Sequence, residues 1–215
     1  MARTHVVTGA GSGIGADLAA RLEARGDRVV RLTRDVVDLA DAAEVGAWAR
    51  GWALDGDGGP LDSLCHVAGT VDLGTVAELD LASWERQLAV NLTAPAVLTA
   101  GLLPALRAGR GTVVFVNSSA GLTANATWSA YAASKFGLRA LADALRAEEA
   151  EHGVRVTTLY PSRTATPMQE KVHEQEGRTY DASRWIRPET VTASILHVLD
   201  LPPDATVPEL VIRPR

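Results

Sequence analysis

The stretch His5-Val6-Val7-Thr8-Gly9-Ala10-Gly11-Ser12-Gly13-Ile14-Gly15 decides the fold: a short β-branched run breaks into glycines and opens a helical pattern over Ile14–Arg25. Glycines in such a turn permit left-handed backbone, let the main chain approach a pyrophosphate, and leave N–H groups at a helix start facing an anion. The spacing is Gly9-x-x-x-Gly13-x-Gly15 rather than the GxGxxG fingerprint. A purely structural glycine loop therefore stays open as the alternative.

Working outward, further strand-like runs are Arg28–Leu32, Leu61–Val67 between Gly58-Gly59-Pro60 and Ala68-Gly69, Gly111–Asn117, Val154–Tyr160 and Val207–Ile212. Helical patterns at Ile14–Arg25, Asp80–Leu106 and Ala126–His152 separate them. Short apolar strands alternating with helices predict a single α/β domain over residues 1–215, doubly wound and Rossmann-type, with a mainly parallel sheet. Between Thr33 and Asp38 there is no room for a helical crossover, so the helix between strands 2 and 3 is expected to be shortened or absent, with Val36-Val37 an abbreviated third strand. The stretch from Pro161 to Arg187 shows no clear period and reads as a lid-like insertion.

Composition narrows the function classes. Lys and Arg number 21 against 26 Asp and Glu, a net charge of −5, and no basic block makes an electrostatic footprint for nucleic acid. Cys65 stands alone and no Cys/His cluster has zinc-ligand spacing, so neither a disulfide nor a metal is expected. The N-terminus lacks the apolar core of a secretory signal. The most apolar stretch, Ala94–Leu106, is broken by Pro95, Gly101 and Pro104 and is too short to span a bilayer. A cytoplasmic protein without a membrane partner is expected.

Tyr131-Ala-Ala-Ser-Lys135 lies in a helical pattern, so the phenol and the ammonium share one face, a turn apart. A phenol has an unperturbed pKa of about 10. One positive charge at roughly 4 Å, worth about 4 kcal/mol at an effective dielectric near 20, is enough to bring it about three units toward neutrality. A solvated surface pair is the alternative. Ser118, 13 residues earlier at the end of a strand, stands where open α/β sheets place their ligand crevice, with Ser119 its local competitor.

Together these residues resemble the short-chain dehydrogenase/reductase family over almost the whole chain. The matching pieces are Thr8-Gly9-x-x-x-Gly13-Ile14-Gly15, Ala68-Gly69, Asn91 in Val90-Asn91-Leu92, Ser118, Tyr131-x-x-x-Lys135 and Pro161-x-x-x-x-Thr166-Pro167-Met168. The resemblance implies hydride transfer between a nicotinamide cofactor and a carbonyl or secondary alcohol. Tyr131 would be general acid/base, Ser118 would hold the substrate oxygen, and Lys135 would lower the tyrosine pKa and bind the nicotinamide ribose. Asn91 would fix a water in a relay from Lys135. Gly9, Gly11, Ser12, Gly13, Ile14, Gly15, Ala68, Gly69, Pro161, Thr164 and Thr166 would contact the cofactor, Thr166 through the nicotinamide amide or the pyrophosphate. The family usually reads Asn-Asn-Ala-Gly where this chain has His66-Val67-Ala68-Gly69, so repacking is expected there, with His66 a satisfied structural histidine rather than a catalytic one. Ser162 stands where glycine is usual.

In NAD-using members an acidic residue stands at the position of Thr33. Its absence, with Arg34 next along as a cationic fork for a phosphate, favours NADP(H) over NAD(H). Asp35 could pair with Arg34 or serve the ribose instead. Asp38-Leu39 matches the pair that contacts the adenine. Leu122–Trp128, Arg163–Trp185 and Val71–Val76 would select the substrate, with Trp128, Met168, Tyr180 and Trp185 as an apolar wall. A nicotinamide-dependent epimerase or isomerase and a non-catalytic dinucleotide-binding regulator are the alternative functions. A homodimer or homotetramer built on the long helices is expected.

Overall fold

A computed structural model describes residues 2–54 and 59–215; the turn residue Gly58 lies outside them. Six strands, β1 (Thr4–Thr8), β2 (Arg28–Leu32), β3 (Ser63–His66), β4 (Thr112–Val116), β5 (Arg155–Pro161) and β6 (Glu209–Ile212), form one parallel sheet among the described residues. Their order is β2-β1-β3-β4-β5-β6. The chain runs outward from β1 to β2 and returns past β1 to β3. The resulting switch point at the C-terminal ends of β1 and β3 is where such sheets leave a crevice.

The two-residue period of a strand divides the core. Val6, Leu64, Val113, Phe115 and Val156 point to one face, while Val7, Cys65, Val114, Val116 and Leu159 point to the other. Helices α2 (Ala42–Leu54), α4 (Ala94–Gly109) and α5 (Ser129–Glu149) cover the first face; α1 (Gly13–Ala24) and α7 (Pro188–Leu199) cover the second. The remaining helices are α3 (Leu81–Leu88) and α6 (Pro167–Gln175).

Four expectations need correction. Val36-Val37 is not a strand: both N–H groups bond the Thr33 carbonyl at 3.1 Å, closing a turn that buries Val37 in the core and exposes Val36. Thus β2 is the sheet edge, and the strand predicted after it is missing along with its helix. Asp41 then opens α2 by accepting from the N–H groups of Ala43 and Glu44, a cap that apolar periodicity does not reveal. The insertion after β5 holds α6, which Thr166 caps through the Gln169 N–H and Pro167 begins. Finally, the apolar stretch belongs to a longer helix. Asp80 caps α3, which runs through a π turn at Ala89–Thr93 into α4, giving a 29-residue helix over Leu81–Gly109 that holds an 18-residue window of mean hydropathy 1.5. By length and composition this could cross a bilayer; in the fold its Leu98, Leu102 and Leu106 fill the core.

Candidate active site

The crevice at the switch point is a cleft of about 1130 Å³. At its floor, Gly9 has φ +68°, and a Cβ there would stand 2.8 Å from the Ala68 Cα, so only glycine lets the β1 end meet the β3 end. At Gly15 a Cβ would be 2.3 Å from the Gly9 carbonyl oxygen, which fixes α1 close against the turn. Ser12 precedes α1 without a side-chain cap bond, and the first turn carries no acidic residue, so its N–H groups and positive dipole end are left for an anion. Gly11, Gly13 and Ile14 line the same side. Opposite them stand Thr164 and Thr166, whose methyl lies 3.2 Å from where a Gly13 Cβ would be. Pro161, Ala68 and Gly69 complete the wall between these two sides.

Thr8 supplies what the missing asparagine would have given. Its hydroxyl accepts from the N–H groups of Val67 (3.0 Å) and Ala68 (3.1 Å) and donates to the Cys65 carbonyl, while Val67 packs into the core. Ser162 adopts no left-handed backbone and bonds the Ile212 carbonyl at 2.9 Å, so the absent glycine costs nothing there. At the adenosine end of the cleft, Thr33, Arg34, Asp38 and Leu39 line the rim. Asp35 is held below the usual carboxylate range, mainly by a hydrogen bond from Thr33. Asp38 accepts from the Ala40 N–H. Arg34 makes no ion pair or hydrogen bond among the described residues.

At the other end α5 carries Tyr131 and Lys135 onto the cleft beside Ser118. Asn117, missed in the sequence, ties Ser118 to Lys135: its Oδ1 accepts from the Ser118 N–H at 2.8 Å and its Nδ2 donates to the Lys135 carbonyl at 3.0 Å. Ser118 Oγ accepts from the Ala120 N–H at 3.1 Å, leaving its own proton to donate. Lys135 Nζ donates to the Val116 carbonyl at 3.1 Å, and burial lowers its pKa to about 8. Tyr131 packs with Val71, Ala120 and Val172. Burial raises its pKa and the Ser118 hydrogen bond opposes that rise. This corrects the expected lowering by Lys135, whose Nζ is 5.7 Å from the ring centre and turned to Val116, so desolvation is the larger effect.

Asn91 does not face the cleft. It sits in the π turn, 1% exposed, with Oδ1 accepting from Thr70 N–H and Nδ2 donating to the Thr70 carbonyl and Ser134 Oγ. Its side chain clasps the post-β3 loop to α5, and Ser134 is the partner the sequence did not reveal. His66 is structural, bonded to Thr99 at 2.8 Å and stacked on Phe115, and burial drives its pKa down to about 3. Of the proposed apolar wall, Trp128 and Met168 line the cleft. Tyr180 and Trp185 instead pack against buried His173 behind it.

Fold and cleft together define a Rossmann-type NAD(P)-dependent oxidoreductase. The chain belongs to the short-chain dehydrogenase family, which it matches over residues 36–177. It is 31% identical over 239 aligned residues to glycine betaine reductase of Emericella nidulans, a match covering 99% of this chain and 19% of that relative. The chain therefore spans about a fifth of the fungal protein. It is 32% identical to D-threitol dehydrogenase of Mycolicibacterium smegmatis, over 79% of this chain and 73% of the relative. A metagenomic short-chain oxidoreductase solved in complex with NADP superimposes with TM-score 0.81 at 28% identity, covering 99% of this chain and 97% of the other.

Proposed function

We propose that the protein interconverts a carbonyl compound and its alcohol using NADP(H), with Tyr131 moving the proton. The observation that carries this reading is the convergence of Ser118, Tyr131 and Lys135 on one cleft whose far wall is the uncapped start of α1. The residues fit a dinucleotide, because the glycine loop keeps clear a space that side chains would fill. The nicotinamide ring supplies or accepts the hydride. Ser118 donates its proton to the substrate oxygen and orients it toward the phenol. Tyr131 gives a proton to that oxygen in reduction and takes it back in oxidation. Lys135 gives one N–H to the Val116 carbonyl and would hold the ribose hydroxyls with the others. Val71, Val172 and Met168 exclude water around the phenol.

Free Arg34 at the rim, with Asp35 engaged by Thr33, supports the 2′-phosphate form of the cofactor, as does the similarity to an oxidoreductase solved with NADP. Phe136, 41% exposed on α5, supports association of copies through that helix, which sedimentation tests. For the chemistry, the test is absorbance at the reduced-nicotinamide band with a carbonyl panel. Turnover with NADPH is expected, and Tyr131→Phe should reduce it by about 10²–10⁴-fold while cofactor binding persists. Undiminished turnover in that variant would sink the proton-transfer role.

A further inference from the structure

The cleft has the opposite electrical character to the chain. Its lining carries Arg34, Arg86, Lys135, Arg163 and Arg178 against only Asp38 and Glu176, while the whole chain has a net charge of −5. Arg34 stands at the adenosine end and Lys135 at the ribose. Arg163 stacks on Trp128, which meets the Tyr131 ring, so it lies at the phenol end of the cleft, with Arg178 joined to it through Glu176.

These two arginines are built into place. The Arg163 guanidinium makes a two-pronged bond to Glu176 and lies between two indoles, 5.7 Å from the centre of Trp128 and 5.5 Å from that of Trp185. Trp128 in turn meets the Tyr131 ring edge-on at 5.7 Å, so a single indole separates the phenol from the guanidinium. Arg178 is set by the end of α6. Gly177 takes φ +64° and its N–H returns to the Glu174 carbonyl, while the Arg178 N–H returns to that of His173. From there Arg178 Nη1 comes within 3.9 Å of Glu176 Oε2. Two guanidinium groups thus share one carboxylate, leaving one positive charge uncompensated on the cleft wall.

A neutral substrate has no use for that charge, and a planar fork suits a carboxylate. We propose that the substrate is an oxo acid or its hydroxy acid, with its carbonyl or carbinol carbon at Ser118 and Tyr131 and its carboxylate held by Arg163 and Arg178. This rests on the oxidoreductase reading of the same cleft. A single surplus charge matches a carboxylate monoanion better than a phosphate dianion. The carboxylate takes no part in the electron exchange; the hydride goes to or from the carbonyl carbon and the proton to or from its oxygen.

The test compares each of two oxo acids, acetoacetate and levulinate, with its methyl ester. Binding to the NADP-saturated protein is read by tryptophan fluorescence, since Trp128 and Trp185 flank Arg163, and turnover is read separately with NADPH. The acids should bind about tenfold more tightly than their esters. R178Q, at a side chain 71% exposed, should reduce that preference to about threefold or less. E176Q, which adds to the surplus charge, should enlarge it, and a merely structural loss would not move the two variants in opposite directions. Esters binding as tightly as acids, or a preference indifferent to R178Q, would overturn the proposal. Acid preference without oxidation of NADPH or NADH by any of the pairs would support the anion site and count against the oxidoreductase reading instead.

Discussion

Ser118 sits between two demands, holding the substrate oxygen and easing ionisation of a buried phenol. Burial raises the Tyr131 pKa and only the Ser118 hydrogen bond opposes it. Alcohol oxidation needs the phenolate as base, so its kcat/KM should rise with pH on the alkaline side as the raised group ionises. Ser118→Ala removes the one lowering contribution, and its pH–rate inflection should move to higher pH, with turnover reduced by about tenfold or more. An unmoved inflection would show that Ser118 does not touch the phenol. Arg34 is likewise a single side chain with a single job. Arg34→Ala should weaken NADPH binding by about 10–100-fold, the equivalent of roughly 1.5–3 kcal/mol for a charge-assisted bond, with NADH little affected. Equal losses for the two cofactors by calorimetry would refute the phosphate contact.

At the scale of elements, the turn between β1 and α1 makes a sharp contrast among its own glycines. Gly9→Ala sets a Cβ at positive φ and 2.8 Å from backbone, which cannot yield as a flexible side chain can. It should destabilise the fold on the order of 3 kcal/mol. Gly11→Ala meets only the Thr33 methyl at 3.6 Å and should leave the melting temperature within the equivalent of about 0.5 kcal/mol of wild type. Thermal unfolding of the two variants checks both. That turn was readable in sequence because glycine spacing is a local code for backbone geometry, and so was Tyr131-x-x-x-Lys135, since one helical turn brings them together. Val36-Val37 misled because β-branched residues fit a buried turn as well as a strand, and pairing is decided by a neighbour the sequence does not show. Thr8, Asn117 and Ser134 were illegible for a related reason. Each acts through backbone groups of residues 18 to 60 positions away or through a side chain on another element, while a lone threonine, asparagine or serine looks like any other polar residue. The α6 cap was legible in principle as Thr166-Pro167, but the polar run after it hid the period.

Across the whole molecule, charge is divided so that the surface is acidic while the cleft is cationic, an arrangement that draws an anionic cofactor inward. Two carboxylates away from that surface hold the fold. Glu149, 1% exposed at the end of α5, accepts two bonds from Arg107 on α4, at 2.8 and 2.6 Å. Glu176 ties the end of α6 to Arg163 after β5. Both have pKa values lowered below 4.5, chiefly by those arginine hydrogen bonds. A carboxyl that titrates lower when folded binds fewer protons than its unfolded counterpart, so the stability it contributes is complete above its ordinary value. That stability is lost as pH falls through the folded value. The urea midpoint should therefore hold between pH 8 and 5 as far as these groups govern it, then drop steeply below 4.5. Glu149→Gln has no carboxylate to take up a proton: it should be less stable than wild type at neutral pH, yet show a shallower drop on acidification. Parallel midpoint curves for the variant and the wild type would mean that the α4–α5 ion pair makes no contribution to acid unfolding.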